Sequence, residues 1–127
     1  MATSPVYAAT PNMGQGALTV ANTNRDGTGT VVTCFTAGAS GALVQRITAK
    51  AIVTTTAGLL RVYAKKSTTF TLIKEIEVPA NTVSATNPSW SDQIVFDPPF
   101  VLAANCLIVC SAEKGEAINV TVEGADV

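Results

Sequence analysis

The sequence predicts an all-β fold: one antiparallel β-sandwich of about eight strands. Apolar and polar residues alternate with a period of two, as between Leu60 and Lys65, which is typical of strands with one buried face. Turn-forming residues recur about every eight to twelve residues, and no segment has the helical period. This combination favours a sandwich of the jelly-roll type, with another Greek-key arrangement second.

The stretch from residue 43 to residue 66 is predicted to lie at the centre of a sheet. It contains two alternating segments separated by Thr56 to Gly58, so we expect a β-hairpin whose turn uses the glycine at a positive φ. By simple alternation, Val44 and Arg46 share one face of the first strand, and Leu43 lies on the other.

An extended N-terminal arm is predicted for residues 1–14, followed by a single β-sandwich domain over residues 15–127. Pro5 and Pro11 interrupt regular pairing in this arm. Two interpretations of the arm stay open: a frayed terminus, or a segment that lays Val6 and Tyr7 on a neighbouring subunit. The other strands are expected at residues 16–21, 31–36, 70–78, 89–97, 105–112 and 118–123.

The composition narrows the function classes. Charged residues make up 13% of the chain and the net charge is −1, which argues against a nucleic-acid-binding surface. Hydrophobic residues make up 47%, a surplus that predicts subunit contacts. Histidine is absent, and with it the commonest general base and transition-metal ligand. We therefore expect no enzyme, no cofactor and no metal, and no stretch is long enough to span a membrane.

The three cysteines are expected to be free. Cys106 and Cys110 are four residues apart on one predicted strand, about 13 Å between Cα atoms, which is too far for a disulfide. Cys34 could meet one of them across the sheet. An odd count without a secretion signal favours buried thiols in a reducing compartment.

Two short patterns resemble chemical sites and are assigned to ordinary structure. Asp26 to Gly29 reads DGTG, but no helix follows it and no series of acidic ligands accompanies it, so we expect a plain turn. Glu75 and Glu77 share one strand face about 6.6 Å apart. This spacing is compatible with a glycosidase pair, but a solvated face is favoured because no aromatic platform accompanies the carboxylates.

Several loop and strand patterns cover the chain from about residue 14 to its end. They are NRDGTGT at 24–30, TAGA at 36–39 with Gly41, Ile47 with Lys50, TTAG at 55–58 with Arg61, VPA at 78–80, the strand at 107–111, and the ending from 116 to 126. Together they resemble small virion proteins of tailed bacteriophages and prophages.

The resemblance implies a head decoration, or cement, protein: a small β-sandwich that oligomerises and stabilises the capsid surface. Its partners would be copies of itself and the major capsid protein, in a virion assembled from late proteins made in the cytoplasm of the bacterial host. A trimer is expected, because icosahedral capsids offer threefold sites. No active-site residue is carried over.

Two alternatives remain open. One is a tail or head-appendage component, such as a fibre or spike. The other is a carbohydrate- or receptor-binding module, for which Trp90 beside Asn87 and Asp92 is the candidate site.

The candidate interface residues combine apolar bulk with a position near a loop, the arm or a polar face. Such side chains supply most of the binding energy at protein interfaces. They are Val6, Tyr7, Tyr63, Trp90 and Phe100.

Overall fold

A computed structural model of the chain describes residues 10–127. This part contains eight strands in two antiparallel four-stranded sheets, which confirms the predicted β-sandwich. Sheet A has the order β1-β8-β3-β6 and sheet B the order β2-β7-β4-β5. This order is compatible with the predicted jelly roll, which stays a prediction. The strands are β1 Thr10–Leu18, β2 Val32–Thr36, β3 Ala42–Ala51, β4 Gly58–Lys66, β5 Thr69–Val78, β6 Ser91–Leu102, β7 Leu107–Ala112 and β8 Ile118–Asp126.

The core lies between the facing surfaces of the two sheets. Alternate residues of the central strands point into it, as the period of two requires. Small residues dominate on β3, where Ala42, Ala49 and Ala51 are fully buried. The larger core residues include Leu18, Val44, Ile47, Leu60, Val62, Ile108, Val120 and Val122.

The sheets approach each other most closely where β1 faces β2. A Cβ atom added to Gly14 would lie 1.8 Å from the carbonyl oxygen of Cys34, and one added to Gly16 would lie 2.8 Å from Val32 Cγ1. Asn12 bridges the sheets by donating from Nδ2 to the carbonyl oxygen of Thr36 at 3.0 Å. Only glycine permits so close a backbone approach.

The predicted central hairpin is wrong, although both of its strands exist. β3 pairs with β6 and β8, whereas β4 pairs with β5 and β7, so the connection between β3 and β4 crosses from one sheet to the other. Gly58 begins β4 and does not adopt a positive φ; among the described glycines, Gly27, Gly29 and Gly41 do. Each strand still lies centrally in its own sheet.

Two β-bulges change the predicted faces. The pairing of β3 shifts between Val44 and Arg46, so Val44 joins Ile47 in the core instead of sharing the face of Arg46. The pairing of β5 with β4 shifts at Ile73. Phe70 therefore lies on the outer face of sheet B, whereas Ile76 and Val78 of the same strand face the core. An extra residue in one strand reverses every face beyond it.

Two predicted boundaries also change. Strand β1 begins at Thr10 and tolerates Pro11 because it is an edge strand, so the predicted arm is wrong for residues 10–14. Strand β6 continues through Pro98 and Pro99 to Leu102, with residues 96–99 outside the ladder with β3. This strand also lies at a sheet edge, where missing N–H donors are tolerated.

Candidate functional surface

The outer face of sheet B is covered by the segment of residues 19–31, between β1 and β2. This segment forms a bridge between Ala21 and Ala112 of β7. It is held in shape by Asn22, whose Nδ2 donates to the carbonyl oxygens of Thr28 at 2.9 Å and Thr30 at 2.8 Å. Within this segment the predicted plain turn at 26–29 includes Gly27, against which the ring of Phe70 packs closely. The dense turn signal therefore belongs to an ordered cover rather than to a ligand site.

Arg61 anchors this cover from below. Its side chain is buried on the outer face of β4, where it donates to the carbonyl oxygen of Asn22 at 3.2 Å, to Glu75 at 3.3 Å and to Glu113 at 3.3 Å. Arg25 of the covering segment donates to the same Glu75 at 3.0 Å. Buried guanidinium groups require this kind of full pairing, so Glu75 serves an ion-pair network.

Tyr63 belongs to the same buried layer, which corrects its prediction as an interface residue. The side chain is 1% exposed, its hydroxyl donates to the carbonyl oxygen of Asn24 at 3.0 Å, and its ring meets Phe70 edge to face at 6.1 Å. Sequence alternation placed Tyr63 on a solvent face because it could not reveal the covering segment. A partner cannot reach this ring without displacing that segment.

The outer face of sheet A is, by contrast, open to solvent among the described residues. Its outward side chains form four rows that cross the strands in the order β1, β8, β3, β6. The apolar row is Pro11, Ala125, Leu43 and Val101; the charged row is Met13, Glu123, Arg46 and Val95; the threonine row is Gln15, Thr121, Thr48 and Gln93; the lysine row is Ala17, Asn119, Lys50 and Ser91.

Large apolar side chains are exposed at both edges of this face. The exposed fractions are 61% for Met13, 59% for Val95 and 71% for Val101. The local sequence does not single these residues out: Met13 lies between Asn12 and Gly14, whereas Val95 and Val101 each lie between two large apolar residues. They stand out only because they point outward from edge strands, and this cannot be seen until the order of the strands in the sheet is known.

The electrostatics of this face are simple. Arg46 Nη2 lies 2.9 Å from Glu123 Oε2 at the centre of the charged row, and both side chains are nearly half exposed. The remaining charge in the rows is Lys50, which donates to the carbonyl oxygen of Ser89 at 3.1 Å. Apolar groups and neutral amides and hydroxyls therefore make up most of the surface.

The other predicted interface residues do not come together. Trp90 and Phe100 are both half-buried against the core. Phe100 pairs with Val44 and Trp90 lies beside Ala51 at the other end of β3, so the two are about six ladder positions, roughly 20 Å, apart. Phe100 packs beside Phe96 with the ring centroids 5.5 Å apart. Val6 and Tyr7 lie outside the described residues.

Two residues of the predicted carbohydrate site take part in internal hydrogen bonds. Asn87 Nδ2 donates to the carbonyl oxygen of Thr82 and to Asn81 Oδ1, and Asp92 accepts from the backbone N–H of Gln93. Asn87 and Asp92 are exposed and Trp90 is half-buried, so the carbohydrate-binding site stays a prediction.

Three features bear on chemistry in the described part of the chain. Cys34, Cys106 and Cys110 are buried and free, as predicted. No group of three or more His, Cys, Asp or Glu residues is placed to hold a metal ion between residues 10 and 127. This range also contains no helix that could cross a membrane.

Comparison with protein-family models and with curated proteins finds no match for this sequence.

Proposed function

We propose that this chain is a structural protein of a tailed-phage or prophage virion, most specifically a capsid decoration protein that self-associates and binds the capsid surface. The observation that carries the self-association is the open outer face of sheet A, with its exposed apolar edges and low charge. The capsid partner and the virion location come from the resemblance of the loop and strand patterns.

The rest of the scaffold suits a structural role. The centre of the outer face of sheet B is covered, and the Arg61 network ties the covering segment to β4, to β5 and to Glu113, which follows β7. A rigid scaffold loses little conformational entropy on binding. On a capsid, repeated weak contacts add up through multivalency.

Co-sedimentation tests the proposal. The purified chain is mixed with capsids assembled from the major capsid protein of the same viral or prophage genome, and the bound fraction is measured across a concentration series. Saturable binding at a stoichiometry set by the capsid symmetry is expected. Absence of binding to these capsids, together with specific binding on a glycan array, would replace the proposal with the carbohydrate-binding alternative.

A further inference from the structure

The outer face of sheet A has a pattern that matches a second copy of itself. We propose that two copies of this chain stack through this face about a two-fold axis that runs parallel to the strands. The inference deepens the self-association in the proposed function and rests on that part of it. It does not depend on the capsid.

A two-fold axis parallel to the strands keeps each row opposite the same row and reverses the order of the strands. In the apolar row, Pro11 then faces the partner's Val101, and Leu43 faces the partner's Ala125. In the charged row, Met13 faces the partner's Val95. The apolar groups at the two edges of one copy thus meet apolar groups of the other, because β1 and β6 exchange places.

The charged and polar residues also meet complementary residues of the second copy. Arg46 of one copy faces the partner's Glu123, so the central ion pair becomes a cluster of alternating signs across the interface. In the threonine row, Thr48 faces the partner's Thr121, so hydroxyl groups meet hydroxyl groups. In the lysine row, Lys50 faces the partner's Asn119. No position brings like charges directly opposite each other, which would disfavour pairing.

The other face-to-face arrangement lacks this match. An axis perpendicular to the strands would place the apolar row against the lysine row, with Leu43 opposite the partner's Lys50 and Val101 opposite the partner's Ser91. It would also put Met13 against the partner's Gln15 and leave Glu123 facing a threonine. In that arrangement Lys50 would lose water against an apolar side chain, and the Arg46–Glu123 pair of one copy would gain no opposite charge from the other. Both effects cost free energy, so the rows favour the parallel axis.

The size of the face suits a weak, reversible dimer. Four strands and four rows span about 19 Å by about 27 Å. Stacking two such faces removes roughly 1,000 Å² of surface in total, which is the least expected of a biological interface with good complementarity and less than the roughly 1,200–2,000 Å² of stable complexes. Two sheets packed in this way keep their strands within about 30° of each other, so the rows stay in register near the centre.

Cysteine crosslinking tests the register. Met13→Cys protein is mixed with Val95→Cys protein and treated with a short thiol crosslinker; the native cysteines are buried. We expect covalent dimers from the mixture, and far fewer from either variant alone. A mixture of Ile52→Cys and Val95→Cys protein is the control, because Ile52 is 59% exposed but lies outside the four rows. Equal crosslinking in the control, or efficient dimers of Met13→Cys protein alone, would overturn the proposed axis.

Solution mass provides the second arm. The unmodified chain is expected to form dimers in sedimentation equilibrium. Val101→Lys should raise the dissociation constant about tenfold or more for each of the two symmetric contacts that contain this residue. Ile52→Lys should leave pairing unchanged. A monomeric or purely threefold chain would refute the two-fold stack. If such a chain still binds capsids, the proposed function stands without it; if the stack forms but capsids are not bound, the stack stands and the capsid assignment fails.

Discussion

Replacing Arg61 with methionine should release the cover of sheet B. Methionine keeps most of the length of the side chain but removes the guanidinium, which donates to Asn22, Glu75 and Glu113. The carbonyl oxygen of Asn22 then loses its buried donor. The two carboxylates lose the cation between them.

The expected cost follows from the burial of the partners. Removing one partner of a fully buried ion pair costs about 3–5 kcal/mol. The side chains of Glu75 and Glu113 are 32% and 29% exposed, so water compensates part of this loss, and we expect about 2–3 kcal/mol for Arg61→Met. For a chain of this length, that lowers Tm by roughly 10 °C.

Thermal unfolding followed by circular dichroism measures the stability, and hydrogen exchange of residues 19–31 reports on the cover. Arg25→Met is the matched control, because Arg25 donates to the same Glu75 from a side chain that is 60% exposed, and exposed ion pairs contribute little. If both variants melt together with the unmodified protein and exchange in residues 19–31 is unchanged, Arg61 does not anchor the cover.

Three further predictions concern the sheet contact, the thiols and acid stability. Gly14→Ala should cost more than about 2 kcal/mol in urea unfolding, because its Cβ would meet backbone; Gly58→Ala, which meets only a flexible lysine side chain, should cost clearly less, and equal costs would contradict the close approach. Cys34, Cys106 and Cys110 are all buried, and a hydrogen bond with Cys34, followed by burial, raises the pKa of Cys110 well above its ordinary value. A maleimide should therefore label the thiols only after denaturation; rapid labelling of native protein would count against this. An arginine hydrogen bond lowers the pKa of Glu75 below its ordinary 4.5. The contribution of ionised Glu75 to the free energy of unfolding is complete above pH 4.5 and is lost as the pH falls through the lowered pKa. Glu75→Gln should therefore flatten the decline of stability below about pH 4.5. An unaltered dependence of stability on pH would refute this role of Glu75.

Local sequence patterns indicated the eight strands and excluded one of the possible disulfides. Alternation with a period of two is a local property, so it indicated the strands without any knowledge of their partners, although β1 begins six residues earlier than predicted. The spacing of Cys106 and Cys110 excluded a bond between them for the same local reason.

The strand partners and the buried faces depend on contacts between remote parts of the chain. The segments on either side of Thr56 look like a hairpin, but β3 pairs with β6 and β8, whereas β4 pairs with β5 and β7. The bulges beside Val44 and at Ile73 insert one residue each, and composition does not signal where such an insertion falls. Tyr63 is buried on the outer face of sheet B because a distant loop folds over it.

The candidate surface on sheet A could not be predicted from the sequence either. Met13 and Val95 lie far apart in the chain, and each looks like an ordinary residue of an alternating strand. They acquire a relation only when β1 and β6 form opposite edges of one sheet. Local patterns set the backbone conformation, whereas the placement of remote strands depends on burial energy summed over the whole chain.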